Sequence, residues 1–145
     1  MANPHKRIVR PPDLPVRTTH SQVVTVTGGT VVWIAGITSR SEKDATPVHA
    51  GDMRSQIRQV CENIGRALRS VGADFTDVVR TVTYVTDVDE YFRAYDERWK
   101  YFQADLPTST LVEVKRLAHP DLMVEIEAMA VIPPDRASGT AGLTG

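Results

Sequence analysis

Along this chain apolar and polar positions alternate, shift to a three-and-four spacing, and alternate again. That change of period predicts the order of the elements. Residues 22–27 and 30–35 are β-branched runs separated by Gly28-Gly29, the pattern of a hairpin whose tight turn needs positive φ. The second run stops at Gly36, and a polar stretch, residues 38–47, loops out. Met53, Ile57, Val60, Cys61, Ile64, Leu68 and Val71 then recur at three- and four-residue steps, which predicts a helix over about residues 51–71. Arg54, Arg58, Glu62, Arg66 and Arg69 fall on its other side, and Gly72 supplies a left-handed stop.

Residues 78–86 alternate as a strand. Asp87 and Glu90 have the spacing of a capping box opening a second helix, which carries Tyr91, Phe92, Tyr95, Trp99 and Phe102 at helical intervals. These rings are expected mostly to pack on a sheet. Residues 110–117 and 122–132 alternate on either side of a turn at His119-Pro120-Asp121, which predicts a second hairpin. The order is β-β-α-β-α-β-β. Two helices cannot cover both faces of such a sheet, so both are placed on one side. The bare face is then expected to be buried by self-association.

The expected organisation is a Pro- and Arg-rich arm over residues 1–17 with a short strand near Ile8-Val9, one domain over 18–133, and a mobile tail of small polar residues over 134–145. The composition, 41% hydrophobic and 24% charged, is that of a soluble globular domain, and the net charge of -1 offers no basic footprint for nucleic acid. The single cysteine, Cys61, excludes an internal disulfide and sits in the apolar stripe of the first helix as a small hydrophobe. No run of apolar residues is long enough to span a bilayer, and no secretory leader is recognisable, so a cytoplasmic location is expected. His5, His20, His49 and His119 are scattered without cysteines or carboxylates at ligand spacing, which speaks against a metal site.

Several segments carry a more specific signal: His20-Ser-Gln-Val23, Trp33-Ile-Ala-Gly36, residues 56–64, Gly72-Ala73 with residues 77–81, and residues 84–89. Leu111-Val-Glu-Val-Lys-Arg-Leu117 followed by Val124-Glu-Ile-Glu-Ala-Met-Ala130 completes the set. In this order they resemble the Rid (reactive intermediate deaminase) family, also called YjgF, RidA or L-PSP endoribonuclease, over about residues 18–133. The resemblance implies an α+β fold of the chorismate-mutase-like type, a mixed sheet with two helices on one face, assembled as a homotrimer with a ligand cleft at each subunit seam. It also implies hydrolysis of enamines and imines to a keto acid and ammonia, with no metal and no cofactor.

Carried over residue by residue, the resemblance leaves a depleted site. The arginine that grips a substrate carboxylate falls on Ser109, within Pro107-Thr108-Ser109-Thr110, and a serine cannot form a bidentate charge-assisted pair. The family cysteine falls on Leu111, the asparagine of the second helix on Tyr95, the serine before the strand-end glycine on Ala35, and the aromatic of the Tyr-Ser-Gln motif on His20. Gly36 is kept. Glu125 matches the glutamate that positions the hydrolytic water, a role suited to a carboxylate that accepts a proton; a solvated strand residue is the alternative. His20 is either an acid or base near neutral pH or a plain surface residue. If a carboxylate still binds, another cation must hold it, and Arg40, just beyond the strand end, is the candidate. Arg116 matches an arginine usual in the family, where its role looks structural.

The function expected from this is an enamine or imine hydrolase acting on a small reactive metabolite, distinct from a standard 2-iminopropanoate deaminase. Aminomuconate deaminases resemble the chain in the Thr-Ser-Arg segment and in residues 117–122, but they retain the arginine. The alternative is a non-catalytic trimer that binds a small molecule for regulation. A ribonuclease ranks last, since no basic groove is foreseen.

Overall fold

A computed structural model of the chain describes residues 2–137. The long helix α1, Met53–Ser70, forms where the apolar stripe was expected. The Asp52 side chain caps it by accepting from the Ser55 N–H. Ile57, Val60, Cys61, Ile64 and Leu68 on its inner face are fully buried, each aliphatic contributing about 1.5–3 kcal/mol relative to exposure. Gln56 shares that face and stays in the core because every polar end is satisfied. Its amide donates to the carbonyls of Asp121 and His49, and its carbonyl accepts from the Met123 N–H.

This helix lies on a four-stranded sheet in which β3, Thr30–Thr38, is followed by β6, Val124–Ile132, then β4, Val78–Val85, and β5, Thr108–Glu113. The β3–β6 and β6–β4 pairs are antiparallel and β4–β5 is parallel. A separate two-stranded ribbon pairs β1, Lys6–Val9, with β2, Val23–Val26. The fold is therefore α+β with a mixed sheet. Its core lies between α1 and the sheet face bearing Ile34, Val85, Val124, Ile126, Ala128 and Ala130.

Three local expectations are corrected. Gly28 and Gly29 do adopt positive φ, 71° and 103°, but the strands they join do not pair: β2 turns away to β1, and β3 pairs with β6. Nor do β5 and β6 form a hairpin, because β4 lies between them and takes β5 in parallel. Alternation reveals which residues share a face but not which strand is the neighbour. The second helix is also not continuous. α2, Val88–Arg93, is capped by Asp87 accepting from the Glu90 N–H, and a 3-10 segment, Tyr95–Lys100, follows. Tyr91 and Phe102 pack in the core, whereas Phe92 and Trp99 remain exposed.

At the ends of the chain, Arg136 in the short helix α3, Pro134–Ala137, pairs with the buried Asp77 carboxylate, which also accepts from Asn3 near the N-terminus. The mobile tail was expected from residue 134; residues 138–145 lie outside the described residues.

Candidate functional site

Glu125 and Gly36 meet on the sheet face opposite the helices. Ile34 is in register with Ala128 and Ile37 with Ile126, so Ala35 and Gly36 together stand against Glu127 as a bulge in β3. The bulge brings the β3 backbone against the Glu125 side chain. A Cβ added at Gly36 would overlap Glu125 Oε1 and come within 2.9 Å of Cδ and 3.1 Å of Cγ. The glycine is thus demanded by space, not by its φ. Glu125 is half-buried, and among the described residues its carboxylate forms no hydrogen bond or ion pair. Its strand neighbour Glu127 differs, accepting from the Tyr84 hydroxyl at 3.0 Å and facing Arg80 at 3.8 Å. An uncommitted carboxylate at a bulge is chemically able to orient a water and take its proton.

Ser109, Leu111, Tyr95 and His20 gather elsewhere, at the outer edge of the sheet. Ser109 is the register partner of Thr81, and Leu111 of Thr83, so both face the helices. Leu111 packs against the core. Thr110 points the other way and is exposed. Residues 19–21 are laid along the start of β5, where Ser21 bridges Thr108 and its N–H donates to the Pro107 carbonyl at 3.0 Å. The Tyr95 hydroxyl reaches the Thr19 carbonyl at 3.4 Å, and His20 Nδ1 lies 3.0 Å from the Thr19 hydroxyl. Burial, then the Arg17 and Arg98 guanidinium groups, hold the His20 pKa below the ordinary histidine value. These surroundings favour the neutral imidazole. His20 also lines a cavity of about 520 Å³ enclosed by the arm, with Arg10, Leu14, Val16 and Arg17 among its walls.

The two groups lie on opposite faces of one sheet. Glu125 is in register with Tyr84 and Tyr84 with Val112, so Glu125 is also two strands away from β5. Within one chain the candidate residues therefore form two separate groups. Arg40 belongs to neither as an anchor in hand: its Nη1 donates to the Ala45 carbonyl at 2.7 Å, although it borders a shallow depression with Gly36 and Thr38. Ala35 is exposed on the bulge.

Besides Asp77, two buried charges in the second helical segment escaped the sequence reading. Glu97, 1% exposed, is held by Arg58 at 2.8 Å, Lys100 at 2.9 Å and Arg54 at 3.4 Å. The Arg58 hydrogen bond is the largest of the effects that lower its pKa. Arg98, 4% exposed, donates to the Thr81 hydroxyl at 2.9 Å and the Thr83 hydroxyl at 3.2 Å. The signal was present: residues 91, 95, 98 and 102 form one stripe at helical spacing, and one member of it is charged. Burial pushes the Cys61 thiol up to about 12, so it is no nucleophile. Among the described residues no group of His, Cys, Asp or Glu is arranged to hold a metal, and no helix is long and apolar enough to cross a membrane.

The family model described as Endoribonuclease L-PSP matches residues 12–132. A RutC family protein of Pyrococcus horikoshii is 33% identical over 105 residues, 72% of this chain and 82% of that one. A rat protein named 2-iminobutanoate/2-iminopropanoate deaminase is 32% identical over 89 residues, 61% of this chain and 64% of that one. Among solved structures, a Rid family protein of unknown function from Yersinia pestis superposes with a TM-score of 0.79 at 28% identity, covering 88% of this chain and 99% of that one. A member of the YjgF/YER057c/UK114 family from Mycobacterium tuberculosis, 34% identical, superposes with a TM-score of 0.61 over 78% of this chain and 86% of that one. By the match of sequence and fold along most of its length, the chain belongs to the Rid (YjgF, L-PSP) family.

Proposed function

We propose that this protein is a cofactor-independent hydrolase of small imines or enamines, working in clefts between copies of itself in a cytoplasmic homotrimer. The observation that carries this reading is the split of the site. Glu125, under the Gly36 bulge, and the group of Ser109, Leu111, Tyr95 and His20 lie on opposite faces of one chain. A second copy set against the open face brings the two halves together. That face presents Trp33, 78% exposed, and Val31, 50% exposed, an apolar surface that self-association buries.

In such a cleft Glu125 takes a proton from water as the oxygen adds to the C=N carbon. Glu125 returns that proton to the nitrogen, giving a carbinolamine; the carboxylate then takes the hydroxyl proton and hands it to the same nitrogen as the C–N bond breaks, so that both water protons leave on ammonia and the oxygen remains as the carbonyl. The rat relative is named for this kind of reaction. Ser109 supplies no guanidinium, so a substrate like that relative's lacks its usual clamp from this position.

The test is ammonia release from imines generated in situ from a panel of amino acids by an amino-acid oxidase. Accelerated release with at least one imine, abolished by Glu125→Gln, is expected. No acceleration with any imine, together with a thermal shift from a small carboxylate, overturns the hydrolase reading in favour of a non-catalytic binding trimer.

A further inference from the structure

Arg98 is a charge that the fold does not neutralise. Its guanidinium is buried, yet among the described residues it forms no ion pair. The hydroxyls of Thr81 and Thr83 accept from Nη2 and Nη1, and the Phe102 ring lies 4.4 Å below the guanidinium carbon. The buried Tyr91 hydroxyl is a further neutral neighbour. Glu97, next in sequence, is taken up on the other side by Arg54, Arg58 and Lys100. A guanidinium carries five N–H donors; the Thr81 and Thr83 hydroxyls take one each and the Tyr91 hydroxyl lies against a third, all of them neutral partners. Removing a charge from water without a counter-charge is expensive, and an apolar side chain of similar volume serves a core better. A stripe position that keeps such a charge calls for an anion.

The position of that charge is informative. Arg98 binds Thr81, whose register partner across the parallel ladder is Ser109. Register partners share a face, so the guanidinium lies over the sheet face that also carries Ser109, one strand, roughly 5 Å, beyond Thr81. His20, on the wall of the cavity under the arm, is near enough to feel the Arg98 charge.

We propose that Arg98, presented from the second helical segment, holds the carboxylate of the substrate in place of an arginine at position 109, with Ser109 as a hydroxyl partner to the same anion. This deepens the hydrolase reading and rests on it for the identity of the anion. Because the fork comes from the helix side and not from the strand, the carboxylate is drawn toward Thr81 and His20, and the acceptable substrates differ from those of relatives whose arginine stands on the strand.

Binding and turnover separate the two claims. Titration calorimetry of the full chain with 2-oxobutanoate, and with its uncharged methyl ester, reads the anion site alone. The acid is expected to bind the wild type more tightly than the ester. Arg98→Met, of similar length and uncharged, is expected to weaken the acid by about 10- to 100-fold, the loss of a charge-assisted pair, and to leave the ester unchanged. Without the buried charge it is expected to melt no lower than the wild type. Ser109→Arg on that background is expected to restore preference for the acid. A wild type that does not distinguish acid from ester, or an Arg98→Met protein that binds the acid as the wild type does, overturns the assignment. If Arg98→Met does not fold, Arg98→Lys, which keeps charge and loses the planar fork, replaces it: weaker acid binding with unchanged ester binding supports the assignment, and equal acid binding overturns it. Intact acid binding with no imine hydrolysis would instead sink the proposed reaction while leaving the anion site standing.

Discussion

Gly36→Ala separates what the bulge does for stability from what it does for chemistry. The added methyl overlaps Glu125 Oε1 and lies within 2.9 Å of Cδ, where carbon and its neighbours settle at about 3.5–4.0 Å. The obstacle is the far end of a flexible side chain, not backbone, so the carboxylate rotates away by roughly 1 Å or more. An off-rotamer adjustment of this kind costs about 0.5–1.5 kcal/mol, a shift in Tm of no more than about 3–6 °C for a domain of this size. The consequence for hydrolysis is much larger. A displacement of about 1 Å in a positioned group lowers a rate by about 100-fold, and loss of a general base by about 100- to 10,000-fold. The assay pairs thermal unfolding with ammonia release from in-situ imines, for Gly36→Ala, Glu125→Gln and the double variant. If both singles disable the same event, the double is no slower than the worse single, because a misplaced carboxylate has nothing left to lose when it becomes an amide. Losses that multiply in the double variant, or a Gly36→Ala enzyme as fast as the wild type, would refute the reasoning.

Other perturbations test the surrounding construction. Trp33→Glu places a charge on the open face at a position 78% exposed; the isolated chain should lose little stability, within about 0.5 kcal/mol, while sedimentation velocity should show the assembly falling to monomers and hydrolysis should fall with it. An unchanged sedimentation coefficient rejects that face as the seam. Glu97→Gln removes a carboxylate bonded to Arg58 at 2.8 Å and Lys100 at 2.9 Å; since both cations are partly hydrated, the expected cost is about 1–2 kcal/mol, less than for a fully buried pair. The folded-state pKa of Glu97 is lowered below 4.5. Its contribution is therefore present in full above that value and lost as pH falls through the folded one. The gap in denaturant stability between wild type and Glu97→Gln should be constant at neutral pH and close below about pH 4.5; a gap that persists into strong acid contradicts the assignment.

Much of the fold was legible because single-element physics determined it. The apolar stripe from Met53 to Leu68 specified α1 to within a few residues, and alternation in residues 124–132 correctly divided β6 into an inner row and an outer row carrying Glu125. Strand partners were not legible. Gly28-Gly29 reads as a hairpin turn on local grounds, yet the ribbon partner of β2 is the arm strand β1, distant from anything the turn specifies. The parallel seating of β5 on β4 likewise depends on α2 and the 3-10 segment folding back across the sheet, a tertiary choice that no local pattern of residues 108–113 records.

The site shows the same division for a different reason. Gly36 and Glu125 could be paired with chemistry from resemblance alone, but their contact exists only because a bulge adds one residue to β3, and alternation on either side of a bulge looks unbroken over a few residues. Ser109, Tyr95 and His20 are expected with Glu125 at a cleft between subunits, and within one chain the sheet stands between them. Arg40, the cation expected from its place just beyond the strand end, donates to the Ala45 carbonyl. Arg98 does not stand out in the sequence because a helical stripe of aromatics reads as core. Burial without a counter-charge is a property of three dimensions: it requires knowing that Thr81 and Thr83 face Arg98 and that Glu97, beside it in the chain, turns to Arg54, Arg58 and Lys100. A charged residue on an otherwise apolar stripe is therefore a feature to weigh beside Ser109: under the proposal that this site binds an anion, a cation absent from one position is supplied from another.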